Sequence, residues 1–138
     1  MKRTKPWPKG SLSTAPRALK ALGKKWEKRL GLEHWQINYY MSKRQLRSCA
    51  ETRWESNYLG GGVAFDPVWY EQEIRTPEEI EATVVHELTH FVFARMDDSM
   101  SDLFGAASGV FTVYHDARET VCDQFAAILI KRYVRKKD

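Results

Sequence analysis

The sequence His86-Glu87-Leu88-Thr89-His90 places two imidazoles and a carboxylate in one short segment. In a helix of about 3.6 residues per turn, His86 and His90 lie one turn apart on the same face, so both can bind one metal ion. Glu87 lies beside them, where it can hold and deprotonate a water on that ion. The spacing therefore indicates a zinc site that carries its own general base. The alternative is an amphipathic helix that happens to contain two histidines.

The residues before the motif predict where its helix begins. Thr76 suits the N-cap, Pro77 suits the first helical position, and Glu79 completes a capping box. The helix is predicted from Thr76 to about Met96. Near the motif it is apolar on nearly all sides, which predicts a buried helix whose polar side chains need a partner such as a metal. The apolar residues are Val84, Val85, Leu88, Phe91, Val92 and Phe93.

A catalytic zinc ion usually takes three protein ligands and keeps one position open, so a third ligand must come from elsewhere. Glu119 and Asp123 lie one turn apart on the last predicted helix and share a face. We expect Glu119 to bind the metal and Asp123 to accept the spare N–H of a ligating histidine. Asp97, with its neighbours Asp98 and Asp102, is set aside because it would lie in the turn that leaves the motif helix. The candidates considered are His34, His115, Asp116, Glu119 and Asp123.

His115 lies one turn before Glu119 on the same face and has two further readings. It is a candidate catalytic residue that donates to the oxyanion of a tetrahedral intermediate, or else a ligand in a three-histidine site. Asp116 and Arg118 are expected to face solvent. The alternative for this whole helix is a surface with ordinary charges.

The motif and the segment Glu119-Thr120-Val121-Cys122-Asp123-Gln124-Phe125-Ala126-Ala127 together resemble the zinc metallopeptidases of the ImmA/IrrE type. More broadly they are similar to the gluzincins, the zincins with a glutamate ligand. The resemblance covers about residues 77–130. It implies that His86, His90 and Glu119 bind zinc, that Glu87 is the general base and that Asp123 supports a histidine.

The chain departs from the family pattern in two respects. Thr89 replaces the small glycine that commonly precedes the second histidine. We expect the site to tolerate this change, because threonine is uncharged. The sequence also shows no helix-turn-helix DNA-binding region, so the resemblance does not by itself imply the repressor-cleaving role.

The remaining pattern predicts an α+β protein with a minimal zincin-like fold: an N-terminal helix, a small mostly antiparallel sheet, the motif helix and a C-terminal ligand-bearing helix. One domain is expected from 13 to 134, between a flexible basic arm at 1–12 and a basic tail at 135–138. The predicted elements are a helix at 13–31, strands at 35–41, 49–56 and 61–66, a loop at 97–112 and a final helix at 115–133. The apolar side of the final helix is expected to consist of Val121, Phe125, Ile128 and Leu129.

The second and third strands are expected to form an antiparallel pair around Tyr58-Leu59-Gly60-Gly61-Gly62. One of them should be an edge strand that binds an extended peptide above the zinc, and we favour residues 62–66. The three glycines are read as a hairpin turn, or as a place where a peptide backbone approaches closely.

Composition narrows the class of protein. The chain has 138 residues, a net charge of +4 and two cysteines, Cys49 and Cys122, too few for a disulfide framework or a cysteine zinc site. It shows no apolar run of membrane-spanning length and no secretory signal, so we expect a cytoplasmic protein without membrane contact. The basic ends can touch nucleic acid, but solvated termini are favoured.

These observations predict a zinc-dependent metallopeptidase that cleaves a protein or peptide substrate. One alternative is a zinc-stabilised binding module with weak or lost catalysis, which contacts nucleic acid or an acidic partner. The other is a metal-dependent amidase that acts on a non-peptide substrate. Glu87 favours an enzyme over a binding module, because a purely structural site needs no base.

Overall fold

The computed structural model describes residues 15–71 and 76–134. The described part contains four α-helices and a three-stranded sheet, which confirms the predicted α+β class. The basic arm (1–12) and tail (135–138), with any nucleic-acid contact they make, lie outside the described residues. In chain order the elements are α1 (Ala15–Leu30), β1 (Gln36–Met41), β2 (Ala50–Glu55), β3 (Gly60–Phe65), α2 (Pro67–Glu71), α3 (Pro77–Phe104) and α4 (Gly109–Tyr133).

The sheet is mixed, with β3 in the centre. Its strand order is β1-β3-β2, in which β1 is parallel to β3 and β2 is antiparallel to it. The predicted antiparallel pair is confirmed, whereas a mostly antiparallel sheet is wrong. After β1 the chain crosses to the far edge to form β2, then returns through a 3-10 turn at Ser56–Tyr58 into the space between the two strands. The strand favoured as the peptide-binding edge, β3, is therefore enclosed on both sides.

The three glycines lie inside β3 and not in the turn, which contradicts the hairpin-turn reading. Leu59, with φ of 49°, makes the reversal instead. A Cβ on Gly61 would stand 2.6 Å from a ring carbon of Phe91 and 2.4 Å from the carbonyl oxygen of Arg53. The glycine thus lets α3 pack directly against the sheet.

The N-terminal helix covers the same face of the sheet as α3. The alternation predicted for β1 is confirmed, because Trp35, Ile37 and Tyr39 are all buried. Tyr39 donates a hydrogen bond of 2.8 Å to the buried carboxylate of Glu27 on α1. Gly31 has a φ of 71° at the end of α1, as predicted for a C-cap residue.

The motif helix begins as predicted but extends further. The capping box is present: Thr76 Oγ1 accepts from the Glu79 amide at 3.2 Å, and the Glu79 carboxylate accepts from the Thr76 amide at 2.8 Å. The helix continues to Phe104, through residues predicted as loop. Val92 and Met96 are half-exposed, so α3 is not buried on all sides as expected.

Helix α4 also begins earlier than predicted, at Gly109, where the Ser108 hydroxyl accepts from the Phe111 amide at 3.1 Å. Its predicted apolar side is wrong for Phe125 and Ile128, which are exposed, whereas Leu129 packs against the core as predicted. The buried stripe recurs every fourth residue and comprises Arg118, Cys122, Ala126 and Ile130. Among the described helices, none combines the length and apolarity needed to cross a bilayer.

Candidate metal centre

Three side chains from α3 and α4 converge on one point. The Nε2 atoms of His86 and His90 are 3.3 Å apart. Glu119 presents one carboxylate oxygen to each imidazole, with Oε2 3.4 Å from His86 Nε2 and Oε1 3.4 Å from His90 Nε2. Atoms bound to a tetrahedral zinc ion at ordinary bond lengths stand about 3.3 Å from one another. The three separations therefore fit ligands that surround one ion.

Glu87 lies beside this group and is nearly buried. Its Oε1 is 4.0 Å from His86 Nε2, and His86, Glu87 and His90 offer atoms that all lie within 4.8 Å of one another, so this trio can hold a metal ion. Glu119 stands closer to the two imidazoles than Glu87 does. This leaves Glu87 Oε1 free to face a molecule at the centre.

Thr52 on β2 fixes the other oxygen of Glu87. Its hydroxyl donates to Glu87 Oε2 at 2.6 Å. Burial raises the pKa of Glu87, and the hydrogen bond from Thr52 offsets part of that effect. The sequence analysis missed Thr52. One feature of the sequence could have pointed to Thr52. It is a polar residue at an inward position of the second strand, between the buried Ala50 and the half-buried Trp54.

Asp123 lies where a supporting carboxylate was predicted. Its Oδ1 is 2.8 Å from Nδ1 of His86, the nitrogen that does not face the other candidate ligands. This contact leaves Nε2 as the nitrogen that can bind a metal. Thr89, which stands where the family commonly has glycine, is accommodated within the helix. Its hydroxyl donates a hydrogen bond of 2.6 Å to the His86 carbonyl.

The ionisation of His90 and Glu119 suits a cation. Burial lowers the pKa of His90 to about 4, so its ring is neutral near neutral pH and has a lone pair to share. Burial also acts to raise the pKa of Glu119, but His90 and a hydrogen bond from Arg118 outweigh it, and the net pKa is lowered. Glu119 is therefore a carboxylate.

Arg118 is buried, which contradicts the expectation that it faces solvent. Its Nη1 binds Asp97 Oδ2, and its Nη2 donates to Glu119 Oε1 at 3.0 Å. Asp97 was expected in the turn after the motif helix, yet it is buried within α3 and accepts from the Tyr114 hydroxyl at 2.6 Å. The adjacent Asp98 accepts from Trp54 Nε1 at 3.2 Å, so β2 is attached to the same helix.

The other candidate ligands do not join the group. His115 is exposed, with Nδ1 3.8 Å from Asp116 Oδ1, but it lines the cavity beside the metal centre. His34 lies between α1 and β1, where its ring contacts that of Trp35. Neither His34 nor Asp116 is among the residues that line the two cavities at the centre.

Two cavities flank the centre. One, of about 770 Å³, lies toward the start of α3 and is lined by Ala82, Ala126 and Ala127 with carboxylates above them. The other, of about 510 Å³, lies between β2 and α4 and contains His115. Within the part of the chain that is described, β2 pairs with β3 alone, so its outer edge is open, and residues 50–54 line the smaller cavity. The alternative segment, residues 49–56, therefore contains an edge strand beside the centre.

Comparison with protein-family models, with curated proteins and with solved structures found no match.

Proposed function

We propose that this chain is a zinc-dependent metallopeptidase with a minimal zincin-like fold. The observation that carries the proposal is the set of three separations of 3.3–3.4 Å among His86, His90 and Glu119. Two imidazoles and a carboxylate are a donor set that suits zinc. The open cleft on both sides supports an enzyme, because a structural zinc site is normally closed.

When bound, zinc would act as a Lewis acid that acidifies water and polarises a carbonyl group. Glu87 takes the proton of the attacking water through Oε1, the oxygen that Thr52 does not bind, and then passes it to the leaving amine. Asp123 holds the tautomer of His86.

The substrate is proposed to be an extended peptide that pairs with the open edge of β2. Backbone hydrogen bonds along an edge strand bind a peptide with little dependence on its sequence. Thr52 lies on this strand and binds Glu87, so a peptide on β2 would lie against the base. His115 lines the cleft on the α4 side, where it can donate to the oxyanion of the intermediate.

The test combines metal content with cleavage of unstructured peptides. We expect the wild type to bind one zinc ion and cleave peptides. Glu87→Gln should keep the zinc and lose cleavage by about 10²–10⁴-fold, because only proton transfer is removed. Asp116→Asn, a change on the exposed side of α4, is the matched control and should behave as wild type. Equal cleavage by wild type and Glu87→Gln would contradict the proposal.

The same assay separates the competing readings. A zinc-stabilised binding module would bind zinc without cleaving, and an amidase would cleave non-peptide amides but not peptides. For His115, replacement by alanine should lower kcat with zinc content unchanged. Loss of zinc in His115→Ala would instead make it a ligand.

A further inference from the structure

Arg118 is the one arginine in the described part of the chain whose side chain is buried at the candidate metal centre. Only 6% of its side chain is exposed. Burial of a guanidinium is costly unless its donors are paired. Its Nε finds no acceptor among the described residues, and its two other nitrogens pair with the carboxylates of Asp97 and Glu119.

The two contacts join the metal centre to the scaffold. Asp97 is 4% exposed and lies two helical turns beyond His90 on α3. Tyr114, one turn before Arg118 on α4, donates to the other oxygen of Asp97 at 2.6 Å. Asp97 is thus held by both partners, and it fixes the guanidinium that reaches Glu119.

The two oxygens of Glu119 have different surroundings. Oε1 accepts from Arg118 Nη2 at 3.0 Å and also lies 3.4 Å from His90 Nε2, whereas Oε2 faces His86 Nε2 at 3.4 Å without a donor from Arg118. A carboxylate held by one oxygen loses the freedom to rotate away from its site. A planar guanidinium suits this task because its fork can bind two carboxylates at fixed angles.

We propose that Arg118 is a positioning residue that holds Glu119 through Oε1 and presents Oε2 to the metal. This inference rests on the proposed zinc site. Arg118 itself does not touch substrate or metal; it acts through Glu119. The competing explanation is that the ion pair of Arg118 with Asp97 only fastens α4 to α3.

A double-mutant cycle on zinc affinity separates the two explanations. Zinc dissociation constants are measured by chelator competition for wild type, Arg118→Met, Glu119→Ala and the double variant. We expect Arg118→Met to weaken zinc binding about 10–100-fold, the usual effect of removing a group that supports a ligand. In the Glu119→Ala background the same change should cost little further affinity. Equal losses in both backgrounds, or no loss in either, would overturn the proposal.

Two further variants serve if Arg118→Met does not fold. Arg118→Lys keeps a cation beside Asp97 but lacks the fork, and we expect it to fold and to bind zinc about tenfold more weakly. Asp116→Asn, a change on the exposed side of α4, is the control, because it leaves Asp97, Arg118 and Glu119 untouched. The visible spectrum of the cobalt-substituted protein should change in Arg118→Lys and not in Asp116→Asn. Wild-type affinity and spectrum in Arg118→Lys would overturn the proposal.

The result also separates this inference from the proposed function. A wild type that binds no zinc would overturn both. Zinc binding without coupling between Arg118 and Glu119 would overturn only the positioning role. Coupling in a protein that cleaves no peptide would leave Arg118 as proposed and overturn the peptidase.

Discussion

Asp123 Oδ1 and His86 Nδ1 stand 2.8 Å apart, across the gap between the two longest helices. The contact gives a test of His86 as a ligand. Asp123→Ala removes the acceptor that holds the ring, and we expect zinc affinity to fall about tenfold in chelator competition. Asp116→Ala, an exposed aspartate on the same helix, is the control and should leave the affinity unchanged. Equal affinity in both variants would mean that Asp123 does not support His86.

The Thr52 hydroxyl should be needed for catalysis but not for metal binding. Thr52→Val keeps the shape of the side chain and removes the 2.6 Å hydrogen bond to Glu87. We expect kcat for peptide cleavage to fall about tenfold or more, since a misplaced base loses its alignment, with zinc content unchanged. Thr52→Ser restores a hydroxyl and should recover most of the rate. A valine variant as active as wild type would remove Thr52 from the mechanism.

Gly61 should tolerate no side chain. Alanine at this position would bring Cβ to 2.6 Å from the Phe91 ring and 2.4 Å from a backbone oxygen, so the strand or helix must move. We expect the free energy of unfolding in urea to fall by about 1–3 kcal/mol. The neighbouring Gly60→Ala is the control, because its nearest atom would be 3.9 Å away. Similar losses at both positions would argue against the packing of α3 on β3.

The two thiols should differ in reactivity. Cys49 is exposed, whereas Cys122 is fully buried and burial raises its pKa, so little thiolate forms. A thiol reagent at neutral pH should therefore modify Cys49 in the native protein and reach Cys122 only after denaturation. In Cys49→Ser the native protein should not react. Rapid native reaction of that variant would contradict the burial of α4 against the core.

Local signals predicted the centre well. The start of α3 could be predicted because the capping box of Thr76 and Glu79 is a motif of only four consecutive residues. Helical spacing put Glu119 and Asp123 on one face, and the need of a zinc site for a third ligand predicted that this face approaches His86. Which residues bind the metal stays a prediction, since the structure brings them together without showing their roles.

The incorrect predictions share one cause, which is contact between residues that are far apart in the sequence. Asp97, Asp98 and Asp102 read as a polar loop, because nothing nearby in sequence shows that Asp97 meets Arg118 on another helix. The exposure of Phe125 and Ile128 has the same origin. The buried stripe follows Arg118 at four-residue intervals, which leaves Ile128 on the other side in solvent and Phe125 half-exposed at the margin, where its ring lies near that of Phe93. The central position of β3 likewise depends on the crossover of the chain from β1 to the far edge of the sheet. The alternation of apolar and polar residues within a strand does not predict such a crossover.

The connection between α3 and α4 spans only residues 105–108, so the three candidate ligands come from one helical hairpin. The partner of the base, Thr52, comes from a strand that precedes both helices. Contacts within a hairpin are close in the chain and form more readily than contacts between distant segments. Metal uptake should therefore withstand damage to the sheet, whereas turnover should not. We therefore expect the candidate ligands to come together within the helical hairpin before the proposed base meets its partner on the sheet.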